Sequence, residues 1–186
     1  MTYGLWGVFA LVWVAMAFGG KRVVRSSGVD RLLQWMYLGA AYTLLFRSDL
    51  SLGFLGDRFL PDVDSVRALG FLVAAAGIGL AIWSRIHLGR QWSAGVVVRA
   101  EHELIATGPY SRIRHPIYTG MLLGMLGTAV VVGEWRGLLA VLIATTGFSF
   151  KAKREERLLE EEFGPKFDDH RNRTGFLLPR LGPRPQ

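Results

Sequence analysis

Residues 108–150 read GPYSRIRHPIYTGMLLGMLGTAVVVGEWRGLLAVLIATTGFSF. The stretch opens on a dense set of rings, prolines and cations, Gly108 to Tyr118, and runs at Ile117 into two apolar segments, 117–133 and 135–150. Each segment approaches the length of a bilayer-crossing helix. Only the Gly133–Glu134 corner parts them, and so short a link predicts an antiparallel helical hairpin. Gly120 and Gly124 share one face of the first helix, a spacing that lets two backbones approach closely.

Working outward, further apolar runs cover approximately 3–19, 32–50 and 66–84. The first has no cationic n-region and no small-residue cleavage site before Lys21, so it reads as a retained helix rather than a signal peptide. The second contains Arg47 and Asp49 near its end, either as a local pair within the span or as its limit. The third is rich in Ala and Gly, which suits close packing. The expected fold is therefore all-α: one polytopic membrane domain over 1–186, with five transmembrane helices and a C-terminal cytosolic helix. With the N-terminus outside, every Lys and Arg except Arg47, Arg58, Arg67 and Arg136 falls on the inner side. That is the bias the positive-inside rule describes. The C-terminus is then cytoplasmic, and two polar segments, 85–116 and 151–180, face the cytoplasm together.

Composition narrows the function. The chain has 186 residues, 51% of them hydrophobic, and a net charge of +7. In a membrane protein that charge reads as inner-side arginine, not as a nucleic-acid surface. There is no cysteine, which removes disulfides, thiolate metal sites and cysteine nucleophiles. No His/Glu spacing resembles a zinc site, and no glycine-rich phosphate loop or Ser-His-Asp order is present, so no metal site is assigned.

Two constellations remain. In the first, Arg114, His115 and Pro116 open the helix at 117, and Tyr118 lies on nearly the same face as His115. Ionisable groups and rings at that depth point to a binding site, and rings there suit an adenine or a sulfonium cation. In the second, Lys151 directly follows the last apolar run, so Glu155 and Glu156 start at the same depth as His115. Glu155 suits a ribose or amino group, and Lys151 an anionic headgroup. Alone, each set also reads as an ordinary flank or a solvated helix with i,i+4 pairing. His102 is placed near the pocket, His87 and His170 at the interface or in solvent. The run from Lys151 to Phe163 reads as a helix stopped at Gly164, with a turn at Pro165.

These residues carry a family resemblance. HLGRQWSAGVVVRAEHELIATGPYSRIRHPIYTG (87–120) and KREERLLEEEFGPKFDDH (153–170) resemble the isoprenylcysteine carboxyl methyltransferases, in the right order and separated by a helical hairpin. The resemblance covers about the last hundred residues. It implies an integral membrane enzyme that uses S-adenosylmethionine, held at the cytosolic face between the inter-helix loop and the C-terminal helix. The family's cofactor positions fall on His102, Glu103, Leu104, Ile105, Tyr110, His115, Pro116, Ile117, Tyr118 and Glu155. Lys151 takes the place of the acceptor's partner, an arginine in the best-known branch, and Arg114 shapes the site. Lys151 keeps the charge but lacks the bidentate fork. Phe167, His170 and the run Thr174-Gly175-Phe176 also depart from the pattern, which bears on the acceptor more than on the cofactor.

The expected catalytic set is Arg114, Lys151 and Glu155. The expected acceptor is a lipid or prenylated carboxylate entering from the bilayer, in keeping with a bacterial inner membrane. The alternatives are a phospholipid amine acceptor, a nicotinamide-dependent reductase with a similar tail, and a non-catalytic membrane protein on the same scaffold.

Overall fold

The computed structural model describes residues 2–17, 28–47, 49, 53–89 and 104–180. Among these residues the elements are helical, with no strand. They are α1 (Tyr3–Ala17), α2 (Gly28–Phe46), α3 (Asp64–Leu88), α4 (Pro116–Val132), α5 (Trp135–Phe163) and α6 (Pro165–Arg173). Single 3-10 turns stand at Gly53–Gly56 and Gly108–Ser111. By length and composition, α3 alone among the described residues is long and apolar enough to cross a membrane. Tyr3–Met16, Leu32–Phe46 and Pro116–Val132 are shorter apolar helices.

The α3–α4 pair is the centre of the fold, and small residues make it. A Cβ on Gly77 would overlap the Gly124 amide nitrogen and lie 2.7 Å from Gly120 O, and one on Gly127 would lie 2.5 Å from Gly70 O. The Gly120/Gly124 face therefore meets a matching face of Gly70, Ala74, Gly77 and Ala81 on α3. Backbones this close gain dispersion contact that larger side chains would block. Rings of α1 and α2 close the core from the side. Trp6 packs edge-on to Tyr42 at 5.2 Å, and its Nε1 donates to Thr128 Oγ1 at 3.0 Å.

The α4–α5 hairpin forms as the short link requires. Gly133 adopts φ 70°, a left-handed conformation that favours glycine, and its amide bonds Ala129 O at 2.8 Å. Its carbonyl accepts from Phe59 N at 2.8 Å. The buried Arg136 pairs with Glu134 at 2.5 Å and donates to Leu44 O and Arg47 O at 2.6 and 3.0 Å.

Two expectations about element limits are refined or corrected here. The second apolar run, left open between an early limit and a span to about residue 50, forms a helix, α2, that stops at Phe46. Arg136 takes carbonyls freed at its end, and Arg47 pairs with Asp49 in solvent. The last apolar run and the tail helix are one continuous helix, α5, because nothing from Phe148 to Phe163 is glycine or proline. Gly164 then stops it at φ 48°, and Pro165 sits at the first turn of α6, a helix where only a turn was expected.

Helix ends gather in two groups. Tyr3, Phe46, Phe59 and Gly133 mark one end of the bundle, where Tyr3 lies against Phe46 at 5.1 Å. At the other end the buried Arg85 of α3 donates to Met16 O of α1 at 2.9 Å. Between the ends, Leu11, Leu33, Met36, Leu69, Leu72, Leu126 and Leu142 point outward and are exposed.

Candidate functional site

The site is built at the Arg85 end. Gly108 starts its 3-10 turn at φ 57°, and a Cβ there would strike the His87 ring at 2.7 Å. His87 Nε2 meets Thr107 Oγ1 at 2.9 Å, and the ring stacks on Tyr110 at 6.4 Å. The buried Tyr110 hydroxyl donates to Ser84 O at 3.5 Å. Burial first, and the charge of Glu155 second, push this phenol's pKa up, while Arg85 opposes them. Its hydroxyl is a donor at neutral pH.

The chain beyond α6 lies alongside the motif. Gly175 N bonds Arg112 O at 3.0 Å and Arg114 N bonds Gly175 O at 2.9 Å, a short parallel pairing centred on Ile113. His115 N reaches Phe176 O at 3.3 Å, and Thr119 Oγ1 donates to Leu177 O at 2.6 Å. Residues 174–177 thus strap α6 over the start of α4.

Under the strap, Glu156 Oε1 accepts from two neighbours, Arg114 Nε at 2.5 Å and His115 Nε2 at 3.1 Å. Arg114 Nη1 also donates to Thr174 O at 2.7 Å and Arg171 O at 3.2 Å. Burial opposes ionisation of Glu156. The hydrogen bonds from His115 and Arg114, and their charge, more than offset it, so its carboxyl titrates below the usual range.

Glu155 faces another way. Its Oε1 accepts from the Tyr118 hydroxyl at 2.7 Å, and its Oε2 stands 3.6 Å from His115 Nδ1, outside hydrogen-bond reach. His115, Tyr118 and Phe148 form a stack, with ring spacings of 5.6 and 4.9 Å and interplanar angles of 8° and 14°. Lys151 lies over the Tyr118 ring at 5.6 Å and donates to Gln34 Oε1 at 3.1 Å.

Of the expected residues, Tyr110, His115, Tyr118, Lys151 and Glu155 gather at this end, with Arg114 behind them. Pro116 and Ile117 are buried at the α4 start, next in sequence to His115 and Tyr118. Leu104 lines a cavity of about 400 Å³ with Ser111, Lys166, His170, Arg173 and Thr174. Ile105 is half-buried beside it. His102 and Glu103 lie outside the described residues.

One placement is corrected. His170, expected at the interface or in solvent, is buried, because α6 turns it inward beside the Arg114–Glu156 pair. Burial first, then the Arg114 charge, lowers its pKa, with Glu156 pulling it up and His115 down. Sequence reasoning also gave no role to Glu156, the acceptor on which the cluster converges. The available signal was Glu156 following Glu155 on a helix, which turns the two carboxylates about 100° apart.

Comparison with known proteins places this site in a family context. Residues 65–166 match the family model described as phospholipid methyltransferase. The nickel-cobalt-cadmium resistance protein NccN of Alcaligenes xylosoxydans xylosoxydans is 37% identical over 97 residues, which is 50% of this chain and 45% of that protein. The protein-S-isoprenylcysteine O-methyltransferase of Schizosaccharomyces pombe is 30% identical over 127 residues, 67% of this chain and 53% of that one. A probable protein-S-isoprenylcysteine O-methyltransferase of Oryza sativa subsp. indica is 25% identical over 169 residues, 89% and 86%. The chain spans about half the length of the first two of these relatives.

Proposed function

Because the chain belongs to the phospholipid methyltransferase family, we propose that it is a membrane enzyme that methylates a lipid-like acceptor with S-adenosylmethionine. The observation that carries this reading is Glu155. One of its oxygens is held by Tyr118, and the other lies beyond hydrogen-bond reach of His115. That leaves an oriented carboxylate acceptor among aromatic faces. It suits the hydroxyl and amino donors of a nucleoside and the cation of a sulfonium. When bound, S-adenosylmethionine supplies an electrophilic methyl whose transfer to a carboxylate oxygen leaves the electron pair on sulfur as a neutral thioether and needs no general base.

The chain's own residues then have positional tasks. Glu155, His115, Tyr110 and Tyr118 hold the donor, with Leu104 and Ile105 assigned to it as well; His102 and Glu103, also expected to contact it, lie outside the described residues. Lys151 orients the anionic acceptor. Arg114 positions His115 and Glu156. Alignment of this kind supplies a large share of the rate when the nucleophile is already ionised.

We read the bundle as five membrane-crossing helices with the motif at the cytoplasmic face of a bacterial inner membrane. The outward leucines and the inner-side arginines support this. A prenylated or isoprenoid carboxylate is the preferred acceptor, given the S-isoprenylcysteine relatives. The family description favours a second reading, a phospholipid amine, in which Lys151 pairs with the phosphate.

The test is calorimetric titration of the detergent-solubilised protein with S-adenosylhomocysteine, followed by labelled methyl transfer to a lipid extract. Saturable binding with a labelled lipid product is expected. Absence of binding would overturn the reading.

A further inference from the structure

The seam between α2 and α5 is antiparallel and can be followed in rungs. Arg136 bonds Leu44 O at one end, the Tyr37 ring lies on Gly147 in the middle, and Gln34 holds Lys151 at the other end. Gln34 and Tyr37 are one turn apart on α2, as are Gly147 and Lys151 on α5, so each pair shares a face. A Cβ on Gly147 would lie 2.6 Å from Cγ and Cε2 of Tyr37, so glycine lets that ring reach across the seam. The ring meets Phe148 edge-on at 5.9 Å, and Phe148 stacks on Tyr118.

The Tyr37 hydroxyl is the anomaly. It is buried and has no hydrogen-bond partner among the described residues. Phenylalanine would give the same ring packing without stranding a donor, and a buried unpaired hydroxyl is costly. Through Phe148 the Tyr37 ring adjoins Tyr118, the residue that donates to Glu155. An unpaired donor thus lies one helical turn from Gln34, which holds the Lys151 ammonium over the Tyr118 ring of the proposed methyl-transfer site.

We propose that Gln34, Tyr37 and Lys151 form the headgroup pocket for the acceptor, and that it takes an anionic oxygen of a carboxylate or phosphate on a lipid-like molecule entering along the α2–α5 seam. The Tyr37 hydroxyl donates to that oxygen. Lys151 neutralises it, and Gln34 keeps the ammonium over the Tyr118 ring. The exposed Leu33 and Phe150, each adjacent in sequence to Gln34 and Lys151, offer apolar surface for the chain. The acceptor role rests on the methyltransferase reading. The binding chemistry does not.

The test is equilibrium binding to the 186-residue chain in detergent, without methyl donor, of two matched probe pairs. These are N-acetyl-S-farnesylcysteine against its methyl ester, and dioleoylphosphatidylethanolamine against dioleoylglycerol. The wild type should bind the anion-bearing member of one pair at least tenfold more tightly, and that pair names the source of the anion. Tyr37→Phe should cut the preference below threefold, with S-adenosylhomocysteine affinity unchanged and a melting temperature equal to or above the wild type's. Gly147→Ala, which displaces the ring, should cut it similarly. The proposal is overturned if the wild type discriminates in neither pair, if Tyr37→Phe keeps full discrimination, or if Tyr37→Phe melts markedly lower. Discrimination without any S-adenosylhomocysteine binding would support the pocket and sink the methyltransferase reading instead.

Discussion

Glu156 Oε1 lies 2.5 Å from Arg114 Nε, and with the His115 contact to the same oxygen this bond ties the start of α4 to the C-terminal half of α5. Both side chains are largely buried, at 12% and 15% exposure. Removing one partner of such a pair leaves an uncompensated charge, which costs more than the pair itself contributes.

Glu156→Gln is therefore expected to destabilise the protein by about 2–4 kcal/mol. The loss should appear as a lower melting temperature and faster hydrogen exchange in α6 and residues 174–177. An unchanged melting temperature would mean that Arg114 is held by its carbonyl partners alone.

Glu155→Gln should separate binding from folding. The amide oxygen still accepts from Tyr118, so the fold should persist. Loss of the charge should weaken S-adenosylhomocysteine binding on the order of tenfold to a hundredfold, the range of a charge-assisted hydrogen bond. Calorimetry beside a melting curve checks both halves. Wild-type affinity would take Glu155 out of the proposed site.

Two glycine substitutions on α3 should differ sharply. Gly77→Ala places a methyl against the α4 backbone and is expected to cost at least about 1–3 kcal/mol, as overpacking does. A Cβ on Gly79 meets nothing within 4 Å. Gly79→Ala should be neutral or stabilising by up to about 1 kcal/mol through helix propensity. Equal melting temperatures for the two variants would contradict the close α3–α4 contact.

Acidification should loosen the strap. Glu156 and His170 both have folded-state pKa values below their ordinary 4.5 and 6.5. For each, the folded state binds fewer protons than the unfolded state. Its contribution is complete above the ordinary value and declines as pH falls through the folded one. The melting temperature should drop first below about pH 6.5 through His170, then again through Glu156. His170→Asn should flatten the first step only. A profile that rises on acidification would refute the assignment.

Much of the fold was legible because it depends on local pattern. The Gly133–Glu134 corner, the Gly164 stop and the Gly120/Gly124 face each follow from a few residues and hold in the structure. The end of α2 was not legible, since Arg136 takes carbonyls there from 89 and 92 residues away in the chain. At the site, His115, Tyr118 and Glu155 could be grouped by depth along two helices. The division of labour between Glu155 and Glu156 depends on helix phase after docking, and the burial of His170 depends on how α6 folds back. Neither follows from sequence spacing alone.

The carbonyls of Arg171 and Thr174 give Arg114 a further meaning. A guanidinium in a shared motif invites reading as a hand extended to a reactant, yet here it is fastened to the returning tail. Inactivity in an Arg114 variant would report a detached C-terminus before it reported anything about reactivity. Homologues that lack this arginine should also have rebuilt the segment it anchors.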